Sequence, residues 1–425
     1  MRIDFFRVLK MLKFPVEEAR KEFEPATTDP SWQINKAWEI FNFHYQHNPF
    51  YRELVGKPPL RWEDLPVITR NHLKGDFTTK LPSGLNPKNL YCSSTSGSSG
   101  DPLYFARDRM SHALVWLNVE HLYNSAGISV NNRQARMFGI SQKPVAKLKA
   151  RLKDFLSNRY RFNVFDLSDE GLLKWETRFR RDKFSYIYGY TNSLVAFAKY
   201  LKNKELTLKY ISPSLKGCIV TSEVCTDKDA ATISEAFGIP VYNEYGSSEL
   251  GVMGFKTDGY WIGSDSLIKY EVLDENNNPV PEGQAGYLTC TALFNKATPF
   301  IRYRIGDLAS IRHVNGQTHI ETIMGSLNDM AILPSGKKVP GISFYFVAEP
   351  LLSKAPFIKE FLVRQTKEWF EFEYVAEKDL SASDIALLTK SFDSMLEKDI
   401  PLKTLRVEKL QRGRNGKFKH FISEI

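Results

Sequence analysis

Ser93-Ser-Thr-Ser-Gly-Ser-Ser-Gly-Asp-Pro102 packs small side chains, hydroxyl donors and two glycines into one run. Glycine lets a backbone curl until successive N–H groups point at one spot, and the hydroxyls add donors there. A polyanion such as a triphosphate suits that loop; a flexible Ser/Gly linker is the plain alternative. Three further stretches could act on the same guest. Tyr245-Gly246-Ser247-Ser248-Glu249 sets a carboxylate just after a glycine turn, and a glutamate facing an anion loop is a candidate Mg²⁺ ligand. Ile301-Arg302-Tyr303-Arg304-Ile305-Gly306-Asp307 puts Asp307 on a tight turn after a strand. An acid there can accept both hydroxyls of a ribose, or merely cap the turn. Arg412–Lys419 (RGRNGKFK) offers lysine on a glycine-containing loop near the end of the chain, with solubilising charge as the bland alternative.

Such residues need strand ends to stand on. Tyr91-Cys92 and Leu103–Phe105 read as short strands on either side of the serine-rich loop. From about 136 to 245, strand-like runs at Ala135–Ile140, Tyr186–Tyr188, Gly217–Thr221 and Pro240–Tyr242 alternate with helical patterns at Gly171–Arg181, Ser193–Asn203 and Asp227–Phe237. That alternation predicts a parallel sheet with crossover helices, whose ligands sit beyond the carboxyl ends of the strands. The loops Gly189–Thr191, Thr221–Glu223 and Asn243–Glu249 fall there. Upstream, residues 15–60 read as helical with Pro49 breaking the pattern, Thr69 caps a helix, and Ser111–Ser125 is amphipathic. Residues 260–323 turn all-β, with a hairpin turn at Asn276–Pro279. A second change of character at Gly325–Asp329 opens an α+β segment. The expected fold class is α/β. A large N-terminal domain over 1–324 would hold parallel sheets, crossover helices and a small β subdomain, and a small α+β domain would cover 325–425.

A chain of 425 residues, 42% hydrophobic and 25% charged, has room for two or three cores and ordinary globular composition. Cys92, Cys218, Cys225 and Cys290 lack Cys-x-x-Cys spacing, which argues against zinc or a disulfide framework and fits a reducing, cytoplasmic setting. No apolar run approaches the ~20 residues that span a bilayer. Met1–Phe14 could lay an apolar helix face on the inner surface of a membrane, a peripheral contact, or pack as a terminal helix on the body; the second reading is preferred. The net charge of +9 admits an anionic partner and is concentrated in Lys143–Arg161 and Lys403–Lys419. No RNA- or DNA-binding signature occurs, so nucleic acid is not an expected partner.

Taken together and in order, the motifs resemble those of the adenylate-forming (acyl-adenylate) ligases, and more narrowly phenylacetate–CoA ligases and their relatives in capsular polysaccharide clusters. The resemblance runs over nearly the whole chain, through Asn48–Tyr51, Leu65-Pro66, Thr95–Pro102, Tyr188-Gly189-Tyr190, Ser222-Glu223, Tyr245–Glu249, Arg302–Asp307 and Gly416-Lys417. It implies that Thr95, Ser96, Gly97, Ser98, Ser99 and Gly100 wrap the β- and γ-phosphates of ATP. Ser248, where the family usually has threonine, would touch the α-phosphate, and Glu249 would hold Mg²⁺. Ser222, Glu223, Asn243, Tyr245 and Gly246 would surround the adenine and Asp307 the ribose. Tyr188, Gly189, Tyr190 and Thr191 would line the acid pocket. Lys417, with Lys419 as its rival, would bridge the reacting carboxylate and α-phosphate from a mobile C-terminal domain that turns between half-reactions.

The implied activity is conversion of a carboxylic acid to an acyl-AMP with release of pyrophosphate, then acyl transfer to CoA or to an amine or hydroxyl on a sugar or carrier. Departures stand beside it. No Walker lysine motif occurs, Leu103 replaces a lysine frequent after the loop, and Gly325-Ser326-Leu327-Asn328-Asp329 lacks the hinge arginine and first hinge acid of the family. Arg302 or Arg304 could substitute electrostatically. The alternative is a catalytically degenerate nucleotide-binding or scaffold protein of a polysaccharide assembly, docking through Lys143–Arg161.

Overall fold

The strand Gly217–Thr221 shows how this sheet is built. Its five residues are all buried, with Ile219 in one core and Cys218 and Val220 in the other, as a strand covered on both faces requires. The computed structural model describes residues 4–23, 30–95, 102–139, 144–326, 330–341, 343–410, 412, 416 and 418–425. The chain packs as two compact units, Met1–Ile323 and Met324–Ile425.

In the first unit the strands are β1 Ile68–Thr69, β2 Tyr91–Ser94, β3 Tyr104–Arg107, β4 Gln134–Met137, β5 Arg159–Phe162, β6 Tyr186–Tyr190 and β7 Gly217–Thr221. They continue as β8 Val241–Ser247, β9 Gly251–Lys256, β10 Trp261–Gly263, β11 Ile268–Leu273, β12 Gly286–Ala292, β13 Tyr303–Val314 and β14 Gln317–Ser326. The parallel half runs β5-β4-β6-β7-β8, with crossover helices at Pro144–Leu156, Asp169–Arg181, Thr191–Asn203 and Asp227–Phe237. Beyond β8 the same sheet goes on through β9, β10, β14, β13, β12 and β11, so the antiparallel strands read as a small subdomain extend the parallel sheet. β2 and β3 form a separate hairpin.

Two local expectations hold. The Pro30–His47 helix stops just before Asn48-Pro49, and Pro49 opens a new helix as the first residue of Pro49–Val55, whose cap Asn48 accepts the Tyr51 N–H at 3.2 Å, because proline's missing N–H costs nothing in a first turn. The Phe5–Met11 helix packs on the body: Phe5, Phe6, Val8 and Leu9 are buried, and Phe5 meets Trp116 at 4.4 Å between ring centroids. Among the described residues no helix is long and apolar enough to cross a membrane, and all four cysteines are free thiols.

The second unit has its own core around Phe344, Val363, Phe372 and Phe392. Its strands are β15 Met330–Ile332, β16 Lys338–Pro340, β17 Ile358–Gln365, β18 Phe370–Ala376, β19 Leu402–Arg406 and β20 Phe421–Ser423. The last four make a mixed sheet ordered β19-β18-β17-β20, and the helices are Ser343–Lys354 and Ala382–Met395. Of the segment Gly325–Asp329 expected to act as a hinge, Leu327, Asn328 and Asp329 lie outside the described residues.

Candidate functional site

Thr95 pinches the base of the serine-rich loop. Its N–H donates to the Leu103 carbonyl at 2.9 Å, and its hydroxyl oxygen accepts from Leu103 N at 3.0 Å and from Arg70 Nη1 at 3.1 Å. The hairpin below it is in register, Tyr91 opposite Arg107 and Ser94 opposite Tyr104. Ser96, Gly97, Ser98, Ser99 and Gly100 lie outside the described residues. Arg70 reaches Thr95 because β1 pairs in parallel with β13, Ile68 beside Tyr303 and Thr69 beside Arg304, and the Arg70–Leu73 helix starts there on the Thr69 cap.

Tyr303, beside Ile68 in the same strand pairing, donates its hydroxyl to Glu249 Oε1 at 3.2 Å. Glu249 is buried, and desolvation raises its pKa above the usual carboxylate range, while the Tyr303 hydrogen bond and the charges of Arg70 and Arg107 pull the other way. Arg107, itself buried, donates through Nη2 to the Ser248 carbonyl at 2.7 Å. Ser248 is exposed. Gly246 sits at an irregularity between β8 and β9, where a Cβ would lie 2.5 Å from the Gly251 carbonyl oxygen, so only glycine fits.

Asp307 is not on a turn after a strand. It lies within β13, where Arg304 and Leu308 face Thr289 and Tyr287 on β12; the extra residues bulge outward and Gly306 takes φ 100°. Tyr245 donates its hydroxyl to Asp307 Oδ2 at 2.5 Å, tying the β8 end to this bulge. The structure thus brings Thr95, Ser248, Glu249, Tyr245 and Asp307 into one connected region.

Other sequence-derived residues are engaged elsewhere. Arg304 donates to the Asp274 carbonyl and to Asn277 Oδ1, at 3.2 and 2.7 Å, and stacks over Tyr287. Arg302 is 1% exposed and donates to Glu271 Oε1 and to the carbonyls of Glu63 and Leu65. Glu223 Oε2 accepts from the backbone N–H and side-chain amide of Asn192, at 2.9 and 3.1 Å, at the start of the Thr191–Asn203 helix. Ser222 before it takes φ 68° and is exposed, and Asn243 is half-buried on β8. Gly189 lets β6 approach β4: a Cβ there would lie 2.5 Å from Met137 Cβ. Tyr188 stacks on Phe138 at 5.3 Å between ring centroids, and Tyr190 packs on it tilted by 33° at 4.1 Å. Lys417 lies outside the described residues.

Sequence reasoning missed several groups here. In the sequence Arg70 merely follows a helix cap and Tyr303 sits between two arginines, and neither setting marks a site residue. Glu244 is buried beside Tyr245 and accepts from the hydroxyls of Tyr123, Tyr188 and Thr221, at 2.6, 2.6 and 3.3 Å. Burial raises its pKa against the pull of those three donors. Arg136 on β4 stacks over Phe138 and Tyr188, and burial lowers its pKa to about 10. A glutamate inside a β-type run was the available signal for the Glu244 cluster; its tyrosine partners, 56 and 121 residues away in sequence, left none.

No family model matches the chain. A phenylacetate–coenzyme A ligase of Thermus thermophilus is 29% identical over 144 residues, 31% of this chain and 32% of that protein. Protein CapK of Staphylococcus aureus is 23% identical over 310 residues, 68% of this chain and 66% of that protein. The matched segments thus span about a third and just under two thirds of those relatives' lengths. Among solved structures, 2-hydroxyisobutyryl-CoA ligase, in the postadenylation state with R3-HIB-AMP, superposes with a TM-score of 0.72 at 18% identity over 95% of this chain and 91% of that one. The fold is that of the adenylate-forming ligases, and the sequence relatives are phenylacetate–coenzyme A ligases and CapK, as the motifs implied.

Proposed function

We propose that this chain, with the fold of the adenylate-forming ligases and relatives named phenylacetate–coenzyme A ligase and CapK, activates a carboxylic acid with ATP. A carboxylate oxygen attacks the α-phosphorus, the acyl–phosphate anhydride forms, and pyrophosphate leaves. A thiol, amine or hydroxyl of the acceptor then attacks the acyl carbon and AMP departs. CoA is the acceptor that the phenylacetate–coenzyme A ligase likeness supports; the CapK likeness supports an acceptor in surface polysaccharide synthesis.

The observation that carries the reading is the grouping of Thr95 hydrogen-bonded to Arg70, whose charge acts on Tyr303 and Glu249, with the Tyr303–Glu249 and Tyr245–Asp307 hydrogen bonds beside it. Thr95 anchors the serine-glycine loop for the terminal phosphates, and Arg70 brings positive charge to the loop base. Asp307 accepts from the ribose, oriented by the Tyr245 hydroxyl. Glu249 fits Mg²⁺, which takes one or two carboxylates and completes its shell from phosphate oxygens and water. When bound, that ion would neutralise charge on the phosphates. A buried carboxylate whose pKa is raised by desolvation gains from a cation beside it, which favours the ionised form. Tyr188, Tyr190 and Phe138 form the aromatic wall of the acid pocket. Lys417 is the cation assigned to the developing charge, from a C-terminal unit that moves between half-reactions.

Acid-dependent exchange of labelled pyrophosphate into ATP tests the proposal, over aryl, fatty, amino and sugar acids. The expected result is exchange with one class of acid, lost on chelation of Mg²⁺ and abolished in Lys417→Ala. ATP binding without exchange across the whole panel would instead support a nucleotide-binding scaffold.

A further inference from the structure

Between β4 and β5 the chain turns an oily face to water. On the Pro144–Leu156 helix, Val145, Leu148, Leu152 and Phe155 are 69%, 71%, 58% and 68% exposed. At 3.6 residues per turn they fall within an arc of about 80°, a single stripe. Arg151 borders it on one side, Lys149 and Lys153 on the other, and all three are exposed. The opposite face is the attachment. Asp154 is buried there and accepts from Arg161 Nε and Nη2 of β5 at 2.8 and 2.9 Å. This bidentate pair fixes which way the stripe points.

The amino-terminal segment also exposes apolar side chains. Met11 and Leu12 are 72% and 56% exposed between the exposed Lys10 and Lys13. Phe14 next to them packs on His112, at 4.8 Å between ring centroids. Burial, then the charges of Arg107 and Lys153, hold the pKa of that imidazole down to about 3.

We propose that this face docks the protein on an anionic lipid bilayer. The four apolar side chains enter the interfacial layer, and Lys149, Arg151 and Lys153 meet the lipid phosphates. Charge selects this occupant among the candidates. A second copy would set the same three cations against themselves. A soluble polyanion would pair with the cations and leave the apolar stripe in water. An anionic bilayer satisfies both halves of the face at once.

Sedimentation of the full-length chain with vesicles tests this, using phosphatidylcholine alone and phosphatidylcholine mixed with phosphatidylglycerol. The chain is expected to pellet with the mixed vesicles only, and less so as salt rises. Leu148→Asn/Leu152→Asn is expected to lower partitioning more than ten-fold. Each single change of Lys149, Arg151 or Lys153 to serine should lower it about five-fold, the effect of one basic residue near an anionic surface. Both sets change exposed side chains, and circular dichroism with size-exclusion elution verifies that they fold. Absence of pelleting with mixed vesicles, or equal pelleting of the wild type and the double variant, would overturn the proposal. So would a wild-type dimer that the double variant converts to monomer, since the stripe would then belong to a second copy. ATP–pyrophosphate exchange measured without vesicles is independent of all these outcomes.

Discussion

Arg302→Met separates a clamp from a nucleotide contact. The Arg302 guanidinium donates to Glu271 Oε1 at 3.1 Å and to the carbonyls of Glu63 and Leu65 at 2.6 and 2.5 Å. Methionine keeps much of the aliphatic volume and removes every donor. Glu271 retains the Trp62 indole N–H at 2.9 Å but loses its cation. Breaking a buried pair from one side costs about 3–5 kcal/mol. Against that, Nη2 of Arg302 is buried without a hydrogen-bond partner among the described residues, and its removal returns about 1 kcal/mol or more of desolvation. The expected net loss is therefore about 3 kcal/mol in urea unfolding, as a lower midpoint at unchanged slope. Arg302→Met/Glu271→Gln should recover at least about 1 kcal/mol, because the orphaned charge is gone. The clamp also holds the segment that carries Arg70, so the KM for ATP should rise while kcat changes less. A variant within about 0.5 kcal/mol of wild type, with exchange activity lost, would refute the reasoning and return Arg302 to the nucleotide.

Two further outcomes follow from buried groups. His44 is fully buried with Nε2 2.9 Å from the Asn295 carbonyl, and desolvation lowers its pKa from 6.5 to about 4. The unfolded chain therefore takes up a proton that the folded chain refuses, so this contribution to stability is complete above pH 6.5 and is lost as pH falls toward about 4. The shift corresponds to roughly 3 kcal/mol. Urea midpoints measured across that window should flatten in His44→Gln, whose amide can still donate to Asn295, and an unchanged pH slope would sink the assignment. Gly189→Ala should destabilise by about 1–3 kcal/mol, because the new Cβ meets Met137 Cβ at 2.5 Å and the Met137 carbonyl oxygen at 2.9 Å. Met137→Ala should not rescue it, since both clashing atoms remain; a neutral Gly189→Ala, or rescue by Met137→Ala, would show that β6 is free to move away from β4.

The alternation of apolar runs with helical periodicity was enough to announce the parallel half of the sheet, because burial on both faces leaves Gly217–Thr221 little choice of residue type. Hydroxyl, glycine and acid spacing marked Thr95, Tyr245, Glu249 and Asp307 as candidates, but the bulge within β13 that carries Asp307 depends on its pairing with β12 and read locally as a turn. The antiparallel strands within 260–323 were legible as strands, but β9 Gly251–Lys256 and the union it makes with the parallel sheet were not. That union depends on pairings such as Glu244 with Phe255 and Trp261 with Ile320, between residues that no local pattern connects.

Tertiary structure alone decided which partners the candidate charges meet. Arg302, Arg304 and Glu223 carry the right chemistry for a nucleotide, yet their side chains are occupied by Glu271, Asn277 and Asn192. Arg70 and Tyr303 reached the site through a parallel pairing of two strands more than two hundred residues apart. A sequence records what each side chain can do within a few residues of itself. Which distant donor it meets, and which apolar face it leaves in water, as on the Pro144–Leu156 helix, is set by where the folded backbone brings the two together.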